Sequence, residues 1–163
     1  MKILCFDPSG SFGREGSGTS GYAVFFEKEL NDFGEIKASD YKEQLDYFHA
    51  HKELILKLKP ERIVCESYRL HGGKAKAQSG SSLDTPRLIG YLQMVAYELK
   101  IEFILQDPSI KTRVADPILT RLGVFTKKGT KHYCMGRSTS LHVRDAIRHG
   151  LFYLRYKYKE EVK

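Results

Sequence analysis

Chemistry in this chain is to be sought where acidic residues end strand-like segments. Asp7 closes "KILCFD", Glu66 closes "RIVCE", and Asp145 stands in the opening turns of "LHVRDAIRHGLFYL", three residues after His142. A carboxylate at the mouth of an apolar strand is costly unless a cation meets it. Carboxylates converging from two adjacent strands and a helix repel one another unless divalent cations sit between them, and hard oxygen donors with room for water suit Mg²⁺ or Mn²⁺. Two such ions about 4 Å apart can activate water on one side and stabilise a leaving oxygen on the other, which is phosphodiester hydrolysis. The expected centre is Asp7, Glu66, His142 and Asp145 around two ions, with His149, one turn deeper, not a direct ligand.

Each residue also has a plainer reading. Asp7 precedes Pro8 and could start a turn, and Glu66 could meet a Lys or Arg instead of a metal. At about 100° per residue, His142, Asp145 and His149 fall within roughly 60° of the last helix, opposite Val143, Ile147, Gly150, Leu151 and Leu154. Alone, that is the pattern of a solvated face.

The elements that must position these residues follow from periodicity. "KILCFD" reads as a strand, and "GYAVFFEKEL" with "FGEIKASDYK" as a hairpin turning at Asn31 to Gly34. Leu45, Phe48, Leu54, Ile55 and Leu58 recur at helical intervals before Pro60. "ERIVCESY" is a strand. A small, basic loop then leads to the helix "PRLIGYLQMVAYELK", with Asp84 or Thr85 as its cap. "IEFILQDPS" is another strand, "IKTRVADPILTRLGV" is helical with a break near Pro117, and "FTKKGTKHYCMGRSTS" reads as a loop before a last helix capped by Ser138, Thr139 or Ser140. The order predicts an α/β fold with a mixed five-stranded sheet, an antiparallel meander followed by parallel strands, flanked by helices. At 163 residues it fits one domain.

Composition narrows the class. No window is apolar for long enough to span a bilayer, the first residues lack the regions of a signal peptide, and three cysteines without a metal-ligand spacing suit a reducing compartment. The expected location is the cytoplasm, without membrane association. A net charge of +7 favours polyanionic partners.

In order along the chain, "FDPSG…TSGYAVF", "IVCESYRL", "SLDTPRLIGYLQMVAYEL", "LQDPSIKTRV" and "HVRDAIRHGLFYL" resemble the signatures of the RuvC-like Holliday junction resolvases of the ribonuclease H-like superfamily, especially the bacteriophage versions. The resemblance covers nearly the whole chain and implies one nuclease domain over residues 1–163. It implies a divalent-metal endonuclease cutting four-way and other branched DNA as a homodimer during recombination, repair or phage DNA processing, in a bacterial cell or a phage-infected host. By the same resemblance Asp7 bridges both ions, Glu66 binds one, His142 with Asp145 binds the other, and Lys111 lies near the DNA backbone. Tyr68 is the candidate for stacking on junction bases and Arg69 for phosphate contact or stacking. Lys74, Lys76, Arg87, Lys111 and Arg113 flank the expected site as phosphate contacts. The helix "PRLIGYLQMVAYELK" offers Leu88, Tyr91, Leu92, Val95 and Leu99 as a dimer face. The segment "SGSFGREGSG" interrupts the pattern; its glycines suit either a phosphate cradle or a surface loop. Competing readings are a ribonuclease H-like nuclease acting on structured RNA, a phosphate-binding ATPase fragment, and a non-catalytic DNA-binding module.

Overall fold

The computed structural model describes residues 1–13, 18–69 and 83–157. β1 (Lys2–Asp7), β2 (Thr19–Phe26) and β3 (Glu29–Lys37) form an antiparallel meander; β4 (Arg62–Glu66) runs parallel to β1, and β5 (Glu102–Gln106) parallel to β4. The five-stranded order is β3-β2-β1-β4-β5, the mixed ribonuclease H-like sheet expected from the sequence. α1 (Gln44–Leu58) links β3 to β4, and α2 (Asp84–Glu98) precedes β5. After β5 come a 3₁₀ turn, Pro108–Thr112, a short helix α3 (Asp116–Arg121), and a second sheet of β6 (Thr126–Lys128), β7 (Lys131–Cys134) and β8 (Arg137–Thr139). The last helix, α4 (Leu141–Phe152), follows.

The main sheet is buried on both faces, which is why β1 is an unbroken apolar run rather than an alternating one. Ile3 and Cys5 of β1 join Ala23, Phe25 and Val64 beneath α4. Leu4 and Phe6 point the other way and pack with α1 and α2 through Tyr47, Ile55, Leu88 and Leu92.

α4 lies against the sheet at very short range. A Cβ on Gly21 of β2 would come within 2.2 Å of the His142 backbone, and one on Gly150 within 2.1 Å of the Phe25 ring. Fully buried Ala146 lies between these two contacts on the helix. Ser140 caps the helix, its hydroxyl accepting from the Val143 amide at 3.3 Å.

Several local expectations are corrected. The β2–β3 turn falls at Glu27 and Lys28, whose φ values of 47° and 76° lie in a region that side chains of their type do not advertise. Asn31 to Gly34 continue β3 instead, and Gly34 is small because the Tyr22 ring crosses it, a Cβ there lying 2.5 Å from the Tyr22 hydroxyl. α2 begins at Asp84 with Leu83 as its N-cap and no side-chain cap; the Thr85 hydroxyl instead accepts from the Gly10 amide at 3.0 Å. Pro117 opens α3 rather than breaking a helix. The segment read as a loop before the last helix is the β6–β7–β8 sheet.

The solvated-face reading of the last helix also fails. Asp145 and His149 are buried along with Val143 and Ile147: His149 sits between Glu66 and Gln106 and Asp145 against Lys111 and Arg148, while Ile110, Val114, Leu119, Phe125 and Cys134 of the 108–139 segment share a core with Val143 and Ile147. Among the described residues no helix is long and apolar enough to cross a membrane. Cys5, Cys65 and Cys134 are free and buried.

Candidate metal centre

Strand parity and register assemble the site before any side chain is considered. Successive strand residues alternate faces, so Asp7 follows Ile3 and Cys5 toward α4, and Glu66 follows Val64 in the same direction. The β1–β4 register pairs Cys5 with Val64 and Phe6 with Cys65; one further step sets Asp7 beside Glu66. The β4–β5 register then sets Glu66 beside Gln106. The cap at Ser140 fixes the start of α4, so Asp145 comes down over the same strand ends. Asp7, Glu66 and Asp145 each offer a carboxylate oxygen, and those oxygens all lie within 4.8 Å of one another.

A cation already stands among them. The Lys111 ammonium lies 2.7 Å from Glu66 Oε2, 2.6 Å from Asp145 Oδ2 and 3.7 Å from Asp7 Oδ1. Burial works against this ammonium's charge, but the three carboxylates outweigh it and hold the Lys111 pKa above its ordinary value. Burial and the neighbouring Glu66 charge push Asp7 upward, against the hydrogen bond from His142. Glu66 moves downward despite burial, because His149 and Lys111 hydrogen-bond its charged form.

His142 Nδ1 lies 2.6 Å from Asp7 Oδ2, and this hydrogen bond raises the imidazole pKa above 6.5. A raised folded-state value means that the pair's stabilisation is complete below the unfolded value and is lost as pH rises through the folded one. In EDTA the thermal midpoint is therefore expected to fall as pH increases upward from 6.5, with a smaller fall in His142→Gln. Equal slopes in the two proteins would count against the pair.

His149 is fully buried between Glu66 Oε2 at 2.7 Å and Gln106 Oε1 at 2.8 Å. Among the described residues the Gln106 Nε2 amide is buried without a partner. Exchanging the amide's oxygen and nitrogen would let Gln106 donate to His149 Nδ1 while Nε2–H donates to Glu66. His149 thus orients Glu66 from behind. Asp145 is held the same way by Arg148, which also grips Asp116. Arg144 and His132 approach that same Asp116 at 3.8 and 3.5 Å.

Compared with solved structures, the fold matches Thermus thermophilus RuvC in complex with Holliday junction substrate, with 17% identity, 98% of this chain and 96% of that one covered, and a TM-score of 0.69. A second Thermus thermophilus RuvC structure matches at 17% identity and a TM-score of 0.63, covering 95% of this chain and 96% of that one. The chain has the RuvC resolvase fold. The fowlpox virus resolvase, in a complex with Holliday junction DNA, shares it more distantly, at 13% identity and a TM-score of 0.53 over 99% of both chains. No protein-family model and no curated protein matches the sequence.

On this RuvC-type framework the remaining sequence-predicted residues scatter. Tyr68 and Arg69 line the cleft of about 420 Å³ above the carboxylates. Tyr68 is half-buried against the α1–α2 core, and Arg69 is exposed and paired with Asp107. Arg87 is exposed, 3.3 Å from Asp84, and is not among the cleft-lining residues; Arg113 is exposed beyond the 3₁₀ turn. Lys111 sits inside the cluster rather than on its flank. Lys74 and Lys76 lie outside the described residues. In the interrupting segment, the Ser9 and Gly10 amides donate to Ser20 and Thr85, and the Tyr47 hydroxyl donates to Ser9 O at 2.6 Å. Those amides are not free to cradle a phosphate, and the segment's first half is tied to the core. Sequence reasoning passed over Gln106, Arg148 and Asp116. Gln106 had a signal, a polar end to an apolar strand level with Glu66, whereas Asp116 before a proline had none.

Proposed function

We propose that this chain is a single-domain, divalent-metal-dependent endonuclease that cuts phosphodiester bonds in four-way DNA junctions and other branched DNA, serving recombination, repair or phage DNA processing. The observation that carries the reading is the convergence of Asp7, Glu66 and Asp145 on one point at the strand ends of a RuvC-type fold. The donor set suits Mg²⁺ or Mn²⁺: it is oxygen-rich and compact, and it already accommodates the cationic head of Lys111. Two bound ions would supply an activated water and charge stabilisation at the leaving oxygen. Asp7 would be shared between the ions, with Glu66 serving one position and Asp145 with His142 the other. His149 and Arg148 keep Glu66 and Asp145 aimed, and Tyr68 and Arg69 offer stacking and phosphate contact where the cleft opens.

Two nicks on symmetry-related strands call for a two-fold enzyme, so the active unit in this proposal is a homodimer. Of the face expected, Leu88, Leu92 and Val95 are spent on the monomer core and Tyr91 packs on Phe48; Leu99 remains exposed, with Met94 and Tyr97 on α2 58% and 81% exposed.

Lys111 makes the metal reading testable without DNA. Lys111→Met leaves three carboxylates facing one another, and breaking such a buried arrangement costs about 3 kcal/mol or more. The metal-free variant is expected to melt lower than the parent, and Mn²⁺ to raise its midpoint by more, since no ammonium has to be displaced. Equal Mn²⁺ increments in the two proteins would argue against a shared site.

The function is tested with labelled four-way junction, flap, duplex, single strand and RNA hairpin in Mg²⁺, Mn²⁺ or EDTA. Metal-dependent cutting of the junction above all other substrates is expected. Preferential cutting of the hairpin would make the chain a structured-RNA nuclease, and binding without cutting would make it a non-catalytic module.

A further inference from the structure

The chain's basic surplus is concentrated in one place. Residues 117–144 contain six Lys and Arg and no Asp or Glu, so nearly all of the +7 net charge belongs to this stretch. Four of the six, Lys127, Lys128, Lys131 and Arg137, lie in β6–β7–β8, the sheet that the sequence did not announce.

Cross-strand partners share a face, so the register sorts this sheet's side chains into two sets. Lys127, His132, Cys134, Arg137 and Thr139 fall on one face, and Thr126, Lys128, Lys131, Tyr133 and Ser138 on the other. The first face is the anchor. Cys134 is buried in the core, His132 approaches Asp116, and Arg137 pairs with Asp32 at 2.6 Å and lies 4.0 Å above the Phe33 ring. The second face looks outward, with Lys128 and Lys131 exposed and the Lys128 ammonium 5.8 Å over the Tyr133 ring. Lys127 is also exposed, but on the opposite face.

The charges divide accordingly. Arg137 and Arg144 are neutralised by Asp32 and Asp116. Among the described residues Lys127, Lys128 and Lys131 form no ion pair. Tight turns with positive φ at Gly129 (60°), Met135 (48°) and Gly136 (77°) join the strands.

The platform is coupled to the carboxylate centre in two ways. β8 runs through the Ser140 cap directly into His142, and His132 approaches the same Asp116 that Arg148 joins to Asp145. A cleft of about 550 Å³ between the platform and β3, lined by Lys131, Arg137 and Arg144, leads toward the α4 N-terminus.

We propose that the outward face of the β6–β8 sheet is a docking platform for a duplex DNA arm, with Lys128 and Lys131 holding backbone phosphates while the carboxylate centre works on a neighbouring strand. Lysine is a point charge without the planar fork that reads base edges, so the platform positions a duplex without regard to its sequence. The proposal rests on the nuclease reading and adds to it a second contact region, distinct from Tyr68 and Arg69.

The test is the double variant Lys128→Ala, Lys131→Ala, compared with the parent for binding to a four-way junction and to plain duplex in EDTA over a range of KCl concentrations. The slope of log K against log salt is expected to become shallower by about one to two units, with affinity weakened severalfold. The double Lys→Arg variant should restore both. An unchanged slope overturns the platform, as does a loss of affinity without a change of slope. A parent protein that binds no DNA at all would remove the nuclease reading itself, whereas a parent that binds and a variant indistinguishable from it would remove only the platform.

Discussion

Asp145→Asn is expected to cut a four-way junction about a thousandfold or more slowly than the parent, because cation-held charge stabilisation is worth several kcal/mol and each 1.36 kcal/mol is tenfold. Junction binding should be nearly unchanged, since the carboxylate repels phosphate rather than holding it. The substitution is close to a pure charge change. Arg148 and Lys111 meet different Asp145 oxygens; the single asparagine oxygen can still accept from Arg148, which keeps the helix anchored, while Lys111 retains Glu66. Glu66→Gln should behave alike, because its amide oxygen can still accept from His149. Asp7→Asn belongs to the same series, with His142 as the group that must adjust. His142→Ala should be milder, as a neutral imidazole brings less charge to the centre than a carboxylate. A near-parental rate in Asp145→Asn, measured in single-turnover cleavage with excess protein, would remove that residue from the centre.

Gly21→Ala is expected to lose both stability and cutting. The added methyl would sit 2.2 Å from the carbonyl carbon and oxygen of His142 and 2.5 Å from the Val143 amide, all backbone atoms of the first turns of α4. Backbone cannot rotate out of the way as a side chain can, so the helix must lift. Overpacking of this kind costs about 1–3 kcal/mol. A displacement of about 1 Å at groups bound to the reacting centre can cost roughly a hundredfold in rate. Gly150→Ala makes the informative comparison: its methyl would meet the Phe25 ring and Cys5 Sγ at the far end of the same helix. It should lower the melting midpoint comparably while leaving cutting, at a temperature where it is folded, much closer to the parent. Parental midpoint and rate in Gly21→Ala would mean that α4 does not depend on this close approach.

The two glycines show what was legible in the sequence and what was not. The sheet order, the three acidic strand-end and helix positions, and the helix beside them follow from short-range patterns: apolar runs, period changes and caps. The burial of His149 and Asp145 does not. A helical wheel sees only its own helix, whereas the groups that bury these two residues, Glu66, Gln106 and Lys111, come from strand ends and a 3₁₀ turn far along the chain. The segment before that helix hid the β6–β8 sheet, because strands of three and four residues are too short to establish an alternation. Lys111 was visible as a basic residue after a strand, but its position among three carboxylates depends on how the 3₁₀ turn folds back over β4. Gly21 carried no sequence signal distinguishing a packing glycine from a strand weakness.

The central claim is that Asp7, Glu66 and Asp145 form a divalent-cation centre from which Lys111 withdraws. Crystals of the protein grown with Mn²⁺ would show it in an anomalous difference map. Manganese density is expected within ligand distance of those three carboxylates, with His142 at its edge and the Lys111 ammonium moved out of the cluster. Manganese bound elsewhere, with Lys111 still joined to Glu66 and Asp145 at a saturating concentration of the ion, would contradict it.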